Sequence, residues 1–137
     1  MLTEAVRELI LAEQARQRDR FIEDVALDVY LAKLDRHAEI LADMGGDRCR
    51  GFVAFYCNDR STAQAFITLV LVDPRDRGLG IGRALVACVL ELVKQRGFTS
   101  CRLEVAKDNT AAHPLYRSLG FCAAGGNDRK DLLEIVF

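Results

Sequence analysis

Apolar and polar positions alternate with two different periods along this chain, and these periods predict a mixture of helices and strands. Residues 3–20 are charged and rich in Ala, Leu and Arg, with apolar residues at helical spacing, which indicates a first helix. A second helix is predicted at about residues 24–36, with Asp24 as its N-cap. Its buried stripe is predicted to consist of Val25, Val29, Leu31 and Leu34.

Three strands are predicted after the helices. A short strand at residues 38–42 and a returning strand at residues 50–57 flank the turn formed by residues 45–47, Gly-Gly-Asp. Residues 58–62 form the next turn. Residues 64–72 are apolar on both alternating faces, which is typical of a central strand that is covered on both sides.

A helix, a strand and a short helix are predicted next. The helix runs from about residue 82 to residue 95, and Gly97 suits the left-handed position that follows a helix end. A strand follows at residues 99–105. Asn109 opens the short helix, and Pro114 lies near its first turn.

Two strands close the chain, at residues 121–124 and 132–137, with residues 125–128 between them. The order of helices, three strands, helix, strand, helix and two strands predicts an α/β (α+β) fold. It consists of a mixed central β-sheet with helices on both faces. The length of 137 residues suits a single domain, residues 1–137, with its own core.

Charge and cysteine content exclude several classes of protein. The formal net charge is −1, so no basic surplus indicates nucleic acid or an anionic membrane as a partner. The apolar runs are too short to span a bilayer, and no signal-peptide pattern is evident. Five cysteines without a C-x-x-C pair indicate neither a metal site nor a disulfide framework, and they favour a reducing cytoplasm. Cys57 and Cys88 are expected to be small core residues.

The most informative segment is residues 72–83, a strand end, a Pro turn and a Gly-rich loop that leads into an apolar helix. Such a loop leaves backbone N–H groups unpaired at a helix N-terminus, and these groups and the helix dipole favour an anion such as a pyrophosphate. A dinucleotide-binding G-x-G-x-x-G pattern fails, because its last glycine would fall on Arg83 or Leu85. The Gly-Lys-Ser/Thr triplet of a P-loop is also missing.

Two motifs remain. An R-x-x-G-x-G pattern lies at Arg77, Gly80 and Gly82, and residues 109–121 have the sequence N-T-A-A-H-P-L-Y-R-S-L-G-F. In this order they resemble the acyl-CoA pyrophosphate loop and the N-x-x-A-x-x-L-Y-x-x-x-G-F segment of the GNAT family of N-acetyltransferases. The first half of the chain matches only in its pattern of elements, and residues 1–20 look helical where that family usually has a strand.

The resemblance implies transfer of an acetyl group from acetyl-CoA to an amine by direct attack in a ternary complex, with acetyl-CoA as co-substrate and no metal. It assigns the pyrophosphate to the backbone of Arg77, Gly78, Leu79, Gly80, Ile81, Gly82 and Arg83. It assigns pantetheine, and an N–H donor for the thioester oxygen, to the backbone of Val70, Leu71 and Val72. Asn109 corresponds to the position that contacts the CoA arm, and it also suits a helix N-cap.

The same resemblance makes Tyr116 a cofactor contact and the acid for the CoA thiolate, with a packing role as the alternative. Many members of that family carry a Glu on the strand that corresponds to residues 64–72, which have no acid here. Residues 103–105 and 109–116 resemble the branch that acetylates protein N-termini, and this resemblance makes Glu104 the expected base for the amine. Its side chain points opposite to those of its apolar neighbours on the strand. A surface role for Glu104 and a water relay stay open, and His113 is expected to be solvated or capping rather than catalytic.

The acceptor is open between a small-molecule amine and a protein N-terminus. The resemblance assigns its pocket to residues 20–37 and 124–131. Four acidic residues lie in the first of these ranges, namely Glu23, Asp24, Asp28 and Asp35. They either attract a cationic amine or form a solvated helix face. Two alternatives to acetyl transfer are a non-catalytic acyl-CoA-binding regulatory module and a domain that uses a longer acyl chain. The oligomeric state is also open, a homodimer included.

Overall fold

Six strands form one mixed sheet in the computed structural model, which describes residues 2–17, 21–22 and 26–137. The elements in chain order are α1 (Glu4–Arg16), α2 (Leu27–His37), β1 (Glu39–Gly45), β2 (Arg48–Tyr56), β3 (Gln64–Val72), a short 3-10 turn (Pro74–Asp76), α3 (Ile81–Gln95), β4 (Ser100–Ala106), α4 (Ala112–Ser118), β5 (Cys122–Gly126) and β6 (Lys130–Val136). This is the predicted order of elements, and β3 has the predicted bounds.

The strands lie side by side in the order β1-β2-β3-β4-β6-β5. All neighbouring pairs are antiparallel except β3 and β4, which are parallel and are connected by the crossover helix α3. The predicted mixed sheet is therefore confirmed. The parallel pair at its centre is the feature that positions the candidate site.

The sheet has a separate hydrophobic core on each face. Along β2 the buried side chains of Val53 and Phe55 belong to the core beneath α3, whereas those of Phe52 and Ala54 belong to the core beneath α1 and α2. This division follows from the two-residue period of a strand. Each fully buried large apolar side chain contributes roughly 1.5–3 kcal/mol. The predicted cover of helices on both faces is present.

Helix α3 ends as predicted at Gly97. The Gly97 N–H donates to the carbonyl of Lys94 at 3.0 Å, and the Phe98 N–H donates to the carbonyl of Val93 at 3.1 Å. Gly97 has φ +88°. This pattern is the Schellman motif, in which a glycine takes the left-handed conformation that other residues adopt at a cost.

Two predictions about buried residues were wrong. Val29 is 60% exposed, because it lies about 200° around α2 from Leu31, which is buried like Leu34. Cys88 is exposed because it lies on the outer side of α3, whereas Cys57 is buried as predicted. The predictions for Asp24 and Val25 lie outside the described residues, and the structure begins α2 at Leu27 with Ala26 as N-cap.

Several boundaries differ from the predictions by a few residues. Strands β1 and β2 extend to meet at a tighter turn, Gly46-Asp47, and Asn109 lies three residues before the first residue of α4 instead of opening it. In β5, Gly125 and Gly126 continue the strand, and Phe121 packs in the core before it begins. No helix in the described ranges is both long and apolar enough to cross a bilayer.

Candidate functional site

A cleft opens at the centre of the sheet where β3 and β4 separate. Backbone pairing of the two strands runs from Gln64 opposite Ser100 to Ile67 opposite Leu103 and stops there, although both strands continue. The edges of β3 and β4 beyond these residues are therefore not paired with each other. Such an open edge between parallel strands can accept an extended ligand as an added strand.

A β-bulge at Thr68 coincides with the point of separation. On the other side of β3, Leu69 is paired with Ala54 and Ile67 with Phe55, so Thr68 is an extra residue with no partner on β2. A bulge bends its strand and increases the local twist. The bulge therefore directs the second half of β3 away from β4.

The cleft has a volume of about 900 Å³. Both separated strands line it, together with the connection after β4, helix α4 and the loop before β6. The lining residues are Gln17, Phe21, Ile67, Thr68, Leu69, Val70, Leu103, Glu104, Val105, Ala106, Lys107, Asp108, Asn109, Tyr116, Asp128, Arg129 and Lys130.

Tyr116 reaches the cleft from α4. Its ring meets the ring of Phe121 edge to face, with centroids 5.8 Å apart and an interplanar angle of 73°. Burial disfavours the charged phenolate and raises the pKa of Tyr116 to about 12. The hydroxyl therefore keeps its proton throughout the neutral range and can donate it or a hydrogen bond.

Glu104 reaches the cleft from β4. Leu103 and Val105 on either side are buried, so the alternation of the strand leaves the Glu104 side chain exposed in the opening between β3 and β4. Within the described ranges, its carboxylate has no hydrogen bond or ion pair. It is therefore available as an acceptor for a proton.

The Gly-rich loop lies at the end of β3. Gly78 and Gly80 have φ +81° and +78°, and Gly80 is the N-cap of α3. A Cβ at either position would meet no atom within 4 Å, so the conformation rather than crowding favours glycine. The first N–H groups of α3 have no partner within the helix.

Buried charges hold the start of this loop. Asp73 caps the 3-10 turn by accepting the Arg75 N–H at 3.0 Å and an Arg75 guanidinium N–H at 2.8 Å. Arg48 on β2 bridges Asp73, at 3.3 Å, and Asp76, at 2.6 Å. The hydrogen bonds from Arg75 above all, with help from Arg48, hold the pKa of Asp73 well below its usual range. These contacts fix where the loop leaves the sheet.

Two arginines in the segment 72–83 connect the Gly-rich loop with neighbouring helices. Arg77 donates to the carbonyl of Val72 at 3.2 Å and pairs with the buried carboxylate of Glu13 at 3.4 Å, which joins the loop to α1. Arg83 donates to the hydroxyl of Ser118 at 3.3 Å, which joins the start of α3 to the end of α4. Both guanidinium groups thus have protein partners.

Helix α4 is tied to its surroundings at its first turn. The side-chain oxygen of Asn109 accepts the Ala112 N–H at 3.3 Å, but the N-cap position of α4 is Ala111 and not Asn109 as predicted. The ring of His113 lies between the carbonyl of Asn109 and the carboxylate of Asp131 on β6, at 2.8 and 3.0 Å. His113, expected to be solvated or capping, bonds both groups through its ring nitrogens, and 16% of its side chain is exposed.

A smaller pocket of about 330 Å³ adjoins the cleft and shares Glu104 with it. Its other described walls are mostly apolar or aromatic and come largely from α2, β2 and β3: Phe21, Ile22, Val29, Tyr30, Lys33, Tyr56, Phe66, Ile67, Thr68, Leu69 and Lys130. The Tyr30 hydroxyl lies 3.0 Å from the hydroxyl of Thr68.

Of the predicted acidic residues of the acceptor side, the two that the structure describes, Asp28 and Asp35, are not in this lining. Asp28 accepts the N–H of Val29 at 3.0 Å, and Asp35 accepts the N–H of Leu2 at 2.8 Å. Their carboxylates therefore serve the local structure of α2 and α1. Glu23 and Asp24 lie outside the described residues.

The structure brings four of the sequence-predicted residues to one cleft, Val70, Glu104, Asn109 and Tyr116. Leu71 and Val72 continue β3 but do not line the cleft. Residues 77–83 follow after the end of β3 and do not line it either. Sequence reasoning missed Thr68 and the Lys107–Asp131–His113 contacts, because a bulge and a long-range ion pair leave no local pattern. The described residues hold no group of three or more side chains placed to bind a metal ion.

Known proteins resemble this chain in sequence. The model of the acetyltransferase (GNAT) family matches residues 3–121. An uncharacterised N-acetyltransferase of Methanocaldococcus jannaschii is 36% identical over 96 residues, which are 67% of this chain and 42% of that protein. A mycothiol acetyltransferase of Thermobispora bispora is 47% identical over 55 residues, 40% of this chain and 19% of that protein. The chain spans less than half the length of these relatives.

A solved structure shows the same fold. An acetyltransferase of Bacillus subtilis in complex with CoA has a TM-score of 0.77 to this chain, and the match covers 100% of this chain and 94% of that one. Sequence identity in this comparison is 15%. The likeness therefore concerns the arrangement of the sheet and helices.

Proposed function

Because the chain belongs to the acetyltransferase (GNAT) family, we propose that it transfers the acetyl group of acetyl-CoA to a primary amine by direct attack in a ternary complex. The observation that carries the proposal is the cleft between β3 and β4, to which Glu104 and Tyr116 both contribute. A base for the amine and an acid for the thiolate thus lie on the same opening.

The proposed position of acetyl-CoA follows the course of β3. The pyrophosphate binds the free N–H groups of the loop at residues 77–83, where the positive end of the α3 dipole adds to the attraction. Pantetheine extends along the unpaired edge of β3 toward the bulge at Thr68. The backbone makes most of these contacts, because Arg77 and Arg83 already have protein partners.

The backbone of β3 supplies the proposed oxyanion donor. The Asp73 N–H donates to the backbone carbonyl of Arg50 on β2 at 2.8 Å. Since successive residues of a strand face opposite edges, the N–H groups of Val70 and Val72 face the open edge toward β4. The Val70 N–H, nearer to the bulge, is the donor that we assign to the thioester oxygen.

Proton transfer completes the proposed reaction. Glu104, directly or through one water, accepts a proton from the ammonium form of the acceptor, and the free amine attacks the thioester carbon. The C–S bond then breaks, and the CoA thiolate takes a proton from the Tyr116 hydroxyl, while the extra proton of the acylated nitrogen passes through water to restore that hydroxyl. The acceptor is proposed to enter through the smaller pocket, since that pocket shares Glu104 with the cleft.

Calorimetric titration of acetyl-CoA and CoA, followed by an assay of thiol release with a panel of amines, tests the proposal. Micromolar binding and amine-dependent thiol release are expected. Binding without release for any amine would favour the non-catalytic acyl-CoA-binding module, and faster release from longer acyl-CoAs would favour the domain that uses a longer acyl chain. Absence of binding to the folded protein would refute the cofactor assignment.

A further inference from the structure

His113 is placed between two groups that can only accept a hydrogen bond. One ring nitrogen, Nδ1, lies 2.8 Å from the carbonyl oxygen of Asn109. The other, Nε2, lies 3.0 Å from a carboxylate oxygen of Asp131. A neutral imidazole carries one N–H and could satisfy only one of these oxygens. The geometry is therefore that of a doubly protonated, cationic ring.

Asp131 is held in the ionised form that this arrangement needs. Its other carboxylate oxygen accepts a hydrogen bond from the Lys107 ammonium at 2.6 Å. The hydrogen bonds from Lys107 and then from His113 lower the pKa of Asp131. An ionised carboxylate accepts hydrogen bonds and donates none, so it cannot supply the proton that a neutral His113 would lack.

Charged groups on three elements surround the ring. Asp131 on β6 favours the cation, Arg117 on α4 opposes it, and Lys107 after β4 competes for Asp131. The balance raises the pKa of His113 above 6.5, chiefly through the hydrogen bond to Asn109 and then through that to Asp131.

The contacts of His113 connect α4, the helix that carries Tyr116, with two other elements beside the cleft, the segment after β4 and strand β6. Lys107 and Asn109 belong to the segment after β4, whose backbone is also bonded to the next hairpin through the Lys107 N–H and the Arg129 carbonyl, at 2.9 Å. His113 lies one helical turn before Tyr116, at the i, i+3 spacing that places both on one side of α4. The ring thus fixes the first turn of α4 against β6.

We propose that His113 is a positioning residue whose doubly protonated ring ties α4 and Tyr116 to β6, and that loss of one ring proton releases this tie and loosens the cleft. The catalytic consequence rests on the proposed acetyl transfer, whereas the protonation state and its effect on CoA binding do not. Because the pKa of His113 is raised, its stabilising contribution is complete below the unfolded value and is lost as the pH rises through the folded one. The cleft is therefore ordered below the folded pKa of His113 and loosens as the pH rises through that value.

The chain has two histidines, so nitrogen NMR of their rings tests the protonation state of His113 directly. In His37→Gln only the His113 ring remains, and both of its nitrogens are expected to show protonated shifts at pH 6.5. The Asp131→Asn change should lower the titration midpoint of His113, because the amide carries no charge. Lys107→Gln should raise it, because Asp131 is then fully available to the ring. A mostly neutral His113 at pH 6.5, or midpoints that do not move in these opposite directions, would overturn the proposal.

The pH profiles of kcat/KM and of CoA affinity test the functional consequence. We expect the alkaline loss of both to move to lower pH in Asp131→Asn and to higher pH in Lys107→Gln, whereas Glu91→Gln, a change at an exposed position on α3, coincides with the wild type. His113→Gln should lower kcat by about 10- to 100-fold, the range expected for a misplacement of about 1 Å, and should remove the alkaline limb. Coincident profiles in all variants would refute a positioning role.

The CoA-binding profile separates this proposal from the proposed function. If no amine is acetylated but CoA affinity weakens with the titration of His113, the positioning role is supported and acetyl transfer is not. If acetylation proceeds but neither kcat/KM nor CoA affinity follows His113, acetyl transfer is supported and the positioning role is overturned. Every comparison is made with the wild type at the same pH, so that titration of CoA and of the amine cancels.

Discussion

Ile67 and Leu103 are the last residues at which β3 and β4 pair with each other, and their buried side chains lie immediately before the opening of the cleft. Thr68, the bulge residue, follows Ile67, and Glu104 follows Leu103. The unpaired edge proposed for pantetheine and the proposed base thus begin at the same level of the sheet. This relationship explains how one interruption in the pairing of two strands assembles the candidate site.

Gly80→Glu is expected to weaken CoA binding beyond detection by calorimetry. It would place a carboxylate beside the proposed diphosphate, and it would add about 1–2 kcal/mol of left-handed backbone strain at φ +78°. Gly46→Glu is the matched control, because Gly46 has φ +67°, has no atom within 4 Å of an added Cβ and lies in the turn between β1 and β2. Equal CoA affinity of the two variants would contradict the loop assignment.

Tyr116→Phe is expected to lower kcat by about 100-fold, within the usual range for loss of a general acid, with little change in the Kd of CoA. The ring and its edge-to-face contact with Phe121 remain, so the thermal midpoint should be nearly unchanged. Because the pKa of Tyr116 is raised to about 12, its titration should not limit activity below about pH 10. An unchanged kcat would assign Tyr116 to packing alone.

Glu104→Gln is expected to lower turnover at neutral pH by about 100-fold and to regain activity as the pH approaches the pKa of the amine. The reason is that free amine becomes available without the base. Glu91→Gln is the control, since it is the same chemical change at an exposed position on α3. A small and pH-independent effect of Glu104→Gln would favour a water relay that does not pass through this carboxylate.

Asp73→Ala is expected to lower the free energy of unfolding by about 1–2 kcal/mol through loss of the cap on the 3-10 turn. The depressed pKa of Asp73 stabilises the fold above its unfolded value of 3.8, and this contribution is lost as the pH falls through the folded value. Denaturant unfolding at pH 7 and pH 3 measures both effects. Asp73→Asn keeps the capping oxygen but has no carboxylate, so its unfolding free energy should lack this acid-dependent contribution. If its unfolding free energy depends on pH as in the wild type, Asp73 is not the source of the contribution.

Local patterns were sufficient to predict the order of all elements. The apolar run of β3 and the Gly97 stop of α3 depend on residues adjacent in sequence, so propensity and turn chemistry could identify them. The loop motif likewise lies within a few residues, and the structure places it at a helix N-terminus as predicted. Val29 and Cys88 were misplaced because a helix face is chosen by the element that packs against it.

The sequence by itself determined the elements, their order and the residue types available for chemistry, because these depend on periods and turns read over a few neighbours. Only the tertiary structure decided that Thr68 is a bulge, that Glu104 opens into the same cleft as Tyr116, and that Asp131 faces His113. Each of these depends on strand register or on contacts between residues far apart in the chain. Such pairings are set by how the whole sheet and its helices pack, so no local pattern encodes them.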